Sequence, residues 1–277
     1  MRVLEWIFPA LDGWIAQSVE QRTENPCVAG SIPAPATNFF FALEIRKFPA
    51  HSQPTMQKLI DGVHKFREAE FGRYRTLFKR LSREGQNPHT LFITCSDSRV
   101  LAELITQSQP GDLFVVKNVG NIVPPATVVG STNSTAAAIE FAVQALGVSD
   151  IVVCGHSQCG AMTALLDGTC SKSDSPHLSE WLEIAAPVRT LIENNYSDLK
   201  KGSEARITAA AEENVLFAVE NLRTYPSVTQ KLESGSLRLH AWFFKISSAE
   251  LFAYDPEAKQ FEPLFGGGSQ NAAHATD

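Results

Sequence analysis

Two thiols and one imidazole, Cys95, His156 and Cys159, are the residues of this chain whose types and spacing best suit chemistry. Soft sulfur and borderline nitrogen match the preferences of zinc in tetrahedral geometry, and three protein ligands leave one position open. An open position marks a zinc that works on a substrate, whereas a structural zinc is closed by a fourth Cys or His. No such fourth ligand stands nearby. Cys154 reads as a small buried hydrophobe and Cys170, in the polar loop DGTCSKSDSP, as an idle thiol. His51, His64, His89, His177, His240 and His274 have no partner at ligand spacing and read as structural or exposed. Cys159 opens the helix-like GAMTALL, whose positive N-terminus favours thiolate over thiol. Gly160 beside it lets the backbone approach a bound oxyanion closely, with its N–H as a donor.

The elements that must position these groups are also legible. Cys95 closes the apolar run LFITC (91–95), His156 follows IVVCG (151–155), and LFVVKN (113–118) is a third run of strand type. Helix-like stretches such as 133–147 separate them, and strand–helix–strand order means a parallel sheet, with ligands bound beyond the carboxyl ends of its strands. After Met56, the residues Leu59, Ile60, Val63, Phe66, Phe71, Leu77, Phe78 and Leu81 recur at near-helical spacing, as one or two amphipathic helices do. A helix is predicted over 205–224, then strands over 238–247 and 249–255 joined by a tight turn. The expected fold is α/β: a mostly parallel central sheet flanked by helices, with N-terminal amphipathic helices and a C-terminal strand pair.

Composition narrows the partners. With 277 residues, 44% hydrophobic and 19% charged, the chain can bury a full core, and one domain over 56–265 is expected. A formal charge of -6, with no run of Lys or Arg beyond two, offers no footprint for nucleic acid or an anionic membrane. Five cysteines without a short-spaced framework of even number argue for a reducing compartment. No stretch approaches the roughly 20 apolar residues of a membrane span. Glu5, Pro9 and Asp12 break up the N-terminal apolar segment, and a cytoplasmic location is expected. Residues 1–55 hold six of the fifteen prolines and no sustained period, and read as a disordered or non-native appendage. Trp14 to Thr37 resembles a translated transfer-RNA gene, Gly30-Ser31-Ile32-Pro33 being encodable by GGTTCGATTCC, so the native start is expected at Met56. The tail 266–277, rich in glycine and polar residues, reads as disordered.

The segments CSDSRV (95–100), GDLFVVKNVGN (111–121) and GHSQCGAM (155–162) together resemble the β-carbonic anhydrases, in the branch shared by plants and many bacteria. The likeness runs from about Met56 to Leu264. It implies one Zn2+ per chain on Cys95, His156 and Cys159, and reversible hydration of carbon dioxide to bicarbonate and a proton by zinc-bound hydroxide. It implies a dyad in which Asp97, held by Arg99, accepts a hydrogen bond from that hydroxide. Two thiolates donate charge and oppose acidity at the metal, so help from such a dyad is physically expected. In some members of the family the aspartate itself closes the zinc site. The likeness also implies that Gln86 binds substrate oxygen and that Phe114, Val119 and Phe141 wall the pocket, although many relatives carry tyrosine where Phe141 stands. In the family the wall comes from a neighbouring subunit, which implies a homodimer or a higher homo-oligomer, with the segment after Met56 reaching across it. By pattern alone, Phe114, Val119 and Phe141 read simply as core.

Rival readings fit less well. A serine hydrolase with Ser157 at a nucleophile elbow would need glycine where Cys159 stands. In a cysteine phosphatase or sulfurtransferase, acidic Asp97 between Cys95 and Arg99 would repel phosphate. A structural zinc module leaves the open position unexplained. Hydrolysis of carbonyl sulfide or carbon disulfide would use the same zinc. Carbon supply for carboxylation, pH balance and bicarbonate retention would all draw on one site.

Overall fold

The computed structural model describes residues 53–127, 133–169 and 174–264; the expectations for 1–52, for Cys170 and for 265–277 lie outside them. The chain divides into two compact units, Met1–Phe66 and Arg67–Asp277. In the first, helix α1 (Gln53–Lys65) begins ahead of Met56 and leaves Met56, Leu59, Ile60 and Val63 exposed.

The second unit holds the sheet. Its three predicted runs, rich in β-branched and aromatic residues, form β1 (Thr90–Cys95), β2 (Leu113–Asn118) and β3 (Asp150–His156), with β1 wholly buried. Before β1, a π-helical stretch over Phe66–Glu70 leads into α2 (Phe71–Glu84). Between β1 and β2 lies the short α3 (Ala102–Thr106). The predicted helix over 133–147 is α4 (Ser134–Glu140) followed by a π-helical stretch, Phe141–Leu146. Asn133 caps α4, its Oδ1 accepting from the amides of Thr135 and Ala136 at 3.0 Å. After β3 come α5 (Gly160–Asp167), α6 (Pro176–Glu183), α7 (Ala186–Asn195), α8 (Glu204–Leu222) and α9 (Pro226–Glu233). The chain then returns as β4 (Arg238–Lys245), β5 (Glu250–Asp255) and β6 (Gln260–Pro263).

The sheet order is β2-β1-β3-β4-β5-β6. The first four strands are mutually parallel, and β5 and β6 add antiparallel. The expected C-terminal pair is therefore β4 and β5, but β4 also belongs to the parallel set, and a third strand follows. Four residues with a terminal proline, QFEP, carry too little pattern to announce β6. One face of the sheet packs Leu91, Ile93, Ile151 and Val153 against Ile139 of α4 and Val215 and Leu222 of α8. Phe92, Val152, Cys154 and Phe244 pack with Val100 and Ala102 in a separate group. Burial of both faces is the physical reason the strands read as near-continuous apolar runs rather than alternating ones.

Candidate metal centre

From β1 the chain crosses to β2 on one side, and from β3 to β4 on the other, so the strand order reverses between β1 and β3. A crevice opens at such a reversal, beyond the carboxyl ends of the two strands. Pairing of β1 with β3 stops at Thr94 and Cys154, one rung short of Cys95. Cys95 is the last residue of β1 and His156 the last of β3. Cys159, at the N-cap of α5, completes the cluster. All three side chains are buried and their ligand atoms lie within 4.8 Å of one another.

The donor set fits a metal ion. His156 Nδ1 lies 2.9 Å from the Ser157 carbonyl, which can only accept, so Nδ1 carries the proton and Nε2 presents its lone pair. Nε2 is buried and has no hydrogen-bond partner in the described residues. A lone pair buried without a partner is costly unless it serves a ligand bond. The Cys159 thiol's hydrogen bond holds Cys95 well below the ordinary thiol range, aided by the amides of Asp97 and Gly120. The same bond and burial hold Cys159 above the ordinary thiol range, against the amides of Met162 and Ala161 in α5. The expected preference of Cys159 for thiolate is thus opposed by the Cys95 sulfur beside it, and a metal held by both sulfurs would take both as thiolates.

Asp97 sits in the loop after β1. Arg99 grips it with its fork, Nε to Oδ1 at 3.0 Å and Nη2 to Oδ2 at 2.8 Å, and the Arg99 amide adds 2.9 Å to Oδ1. These bonds hold the carboxyl well below the usual carboxylate range. Its Oδ2 is 3.9 Å from His156 Nε2, so an ionised carboxylate borders the position a metal would take. Arg99 also reaches the side chain and carbonyl of Gln158, whose backbone is left-handed at φ 54. Lys117 Nζ donates to the Asp97 and Val100 carbonyls, closing the loop from the β2 side.

The remaining predicted residues are placed differently. Gln86 lies exposed in the loop between α2 and β1, and Gly160, first in α5, is exposed. Phe114 is half-buried, with its ring 5.8 Å from that of Phe141. Phe141 and Val119 are exposed. Among the described residues, no hydrogen bond or ring contact joins Gln86, Phe114 or Phe141 to the ligand cluster. Cys154 lies in the core with its thiol pushed up to about 12 by burial. Ser157 is buried and its Oγ accepts from the Ile246 amide at 3.0 Å, so it is no exposed nucleophile.

Reading by motif missed the groups that hold the loop over Cys95. Gly120 has φ 79, and a Cβ there would meet Ala161 Cβ at 2.9 Å, so only glycine fits. Its N–H donates to Cys95 Sγ at 3.4 Å. Asn118 clamps Ile122 through both its amide and its carbonyl. Trp181 of α6 donates to the Val119 carbonyl at 2.7 Å, and Asn214 of α8 to the Gly120 carbonyl at 2.9 Å. The repeated Asn and Gly of KNVGN were the available signal for the loop; nothing local signalled Trp181 or Asn214.

Comparison with known proteins gives the family of the chain. The family described as carbonic anhydrase matches residues 90–251. A carbonic anhydrase of Synechocystis sp. is 47% identical over 201 residues, covering 72% of this chain and 71% of that protein. The solved structure of the β-carbonic anhydrase CcaA is 45% identical at a TM-score of 0.72, covering 75% of this chain and 98% of that one. A structure reported with two tetrameric β-carbonic anhydrases from the filamentous ascomycete Sordaria macrospora matches at 28% identity and a TM-score of 0.63, covering 78% and 99%. The chain belongs to the carbonic anhydrase family, in its β class. It is an enzyme for the reversible hydration of carbon dioxide to bicarbonate and a proton. Nothing in these relatives favours the hydrolase alternatives.

Proposed function

We propose that the enzyme works with one zinc ion held by Cys95 Sγ, His156 Nε2 and Cys159 Sγ, and that Asp97 and Arg99 serve its chemistry. The buried, unpartnered Nε2 of His156 beside two converging thiols and an arginine-locked carboxylate carries this reading. When bound, zinc supplies a Lewis acid that ionises water near neutral pH. The residues of the chain do the rest. His156 is fixed in one tautomer by Ser157. Asp97 keeps its charge because Arg99 donates to both of its oxygens, and it accepts a hydrogen bond from the attacking oxygen, turning a lone pair toward carbon. Gly160, at the start of α5, offers its N–H to the oxyanion that forms.

Gln86, Phe114, Val119 and Phe141 complete the substrate pocket only when two copies associate. The exposure of Val119 and Phe141, and separately of Leu59, Ile60 and Val63 in α1, supports a homodimer or a higher assembly of dimers. A cytoplasmic setting is supported by three buried free thiols, two of them turned to one metal site. Bicarbonate for carbon utilization is the role that such an enzyme would serve.

Metal analysis of the purified protein with stopped-flow carbon dioxide hydration tests this. About one zinc per chain is expected, with activity lost on chelation and restored by zinc. Full activity of protein free of metal overturns the zinc assignment.

A further inference from the structure

Trp181 packs against the apolar group that includes Cys95 and Cys159, and it is also bonded to the peptide that meets Cys95. The Val119 carbonyl and the Gly120 N–H belong to a single peptide unit. The indole N–H of Trp181 donates to that carbonyl at 2.7 Å, and the same unit's N–H donates to Cys95 Sγ at 3.4 Å. The next carbonyl, of Gly120, is held by Asn214 Nδ2 at 2.9 Å. Asn214 is buried, and its Oδ1 has no partner among the described residues, so the position keeps an amide at a desolvation cost that an apolar residue would avoid. Gly120, left-handed and pressed on Ala161, leaves this peptide little room to turn.

Resting on the zinc site proposed above, we propose that Trp181 is a positioning residue that tunes the Cys95 thiolate through the Val119–Gly120 peptide. Hydrogen bonds in series polarise one another, each strengthening the next by roughly 10–30%. Charge drawn into Trp181's bond makes the Gly120 N–H a stronger donor to sulfur. A thiolate so engaged donates less charge to its metal, which stays the stronger Lewis acid. That matters in a site with two thiolates, whose combined donation opposes the acidity the reaction needs. Asn214 sets the plane of the following peptide so that the N–H is aimed at Sγ. The relay runs from α6 through a left-handed loop to the end of β1, three segments far apart in sequence.

Cobalt-substituted enzyme tests this directly, since thiolate-to-cobalt charge-transfer bands report the electron density on sulfur. Trp181→Phe keeps an aromatic ring in the packing and removes the N–H. Benzothienylalanine at position 181 keeps the indole shape and replaces only that N–H by sulfur. Both are expected to bind cobalt at wild-type stoichiometry and to shift the band to longer wavelength. In the zinc form kcat is expected to fall roughly tenfold, the scale of losing a partner behind a metal ligand, with KM little changed. A band unmoved in both variants overturns the role of Trp181. A wild-type enzyme that shows no thiolate-to-cobalt band overturns the zinc site itself.

Discussion

Asp97–Arg99 and Asp150–Arg238 are one ion pair built twice, at opposite ends of the sheet. In each, the guanidinium fork meets the carboxylate through Nε on Oδ1 and Nη2 on Oδ2, and the carboxyl is held below its usual range chiefly by that arginine. They differ in what remains on the carboxylate. Asp150 Oδ1 also takes His240 Nε2 at 2.8 Å, and its Oδ2 takes Ser149 Oγ at 2.7 Å, which fills its roughly four acceptor positions. Among the described residues Asp97 Oδ2 accepts only from Arg99, and it lies 3.9 Å from His156 Nε2. The partners also differ in reach: Asp150 joins β3 to β4 across 88 positions, while Asp97 and Arg99 are two apart in one loop. A saturated pair between strands is a clamp. A local pair with one acceptor position left, beside the candidate metal ligands, is what the catalytic role proposed for Asp97 requires.

The harshest test removes what Asp97 faces. Cys95→Ser or His156→Ala is expected to lose bound metal and essentially all hydration activity, as read by metal analysis and stopped flow. Next, Asp97→Asn is expected to keep metal and stability but to lower kcat by about 10- to 100-fold. An Asp97→Asn enzyme of full activity would erase the distinction between the two pairs. Asp150→Asn should do the opposite, leaving kcat within about twofold while lowering Tm by roughly 3 °C, the scale of one net hydrogen bond in a protein of this size. The smallest effect is on acid stability. A carboxyl whose folded pKa is depressed contributes stability above its unfolded value, near ~4, and loses it as pH falls toward the folded value. The Tm difference between wild type and Asp150→Asn is therefore expected to be complete at pH 6 and to shrink below pH ~4. A difference that widens in acid would contradict the assignment of Asp150 as a charged clamp.

Much of the fold was legible because β1 and β3 are buried strands whose apolar runs end in the very residues that could bind metal. The amphipathic helices and α8 followed from period alone. The π-helical stretch Phe141–Leu146 was not legible, since a π turn keeps the same apolar composition as the α-helix it interrupts. Nor was β6, whose pairing with β5 is supplied by the partner strand. Nothing in the sequence pattern marked Trp181 or Asn214. Their importance lies in which carbonyls they meet.

Side-chain chemistry and strand-end position, both local, singled out Cys95, His156 and Cys159 as candidate ligands, and the family resemblance pointed to the pairing of Asp97 with Arg99. The tertiary structure decided the orientation of that chemistry. It left His156 Nε2 unpartnered, turned Asp97 toward the cluster, and fastened the Gly120 amide over Cys95 through α6 and α8. Those outcomes depend on contacts between residues distant in the chain, which only packing of the helices on the sheet brings within hydrogen-bond reach.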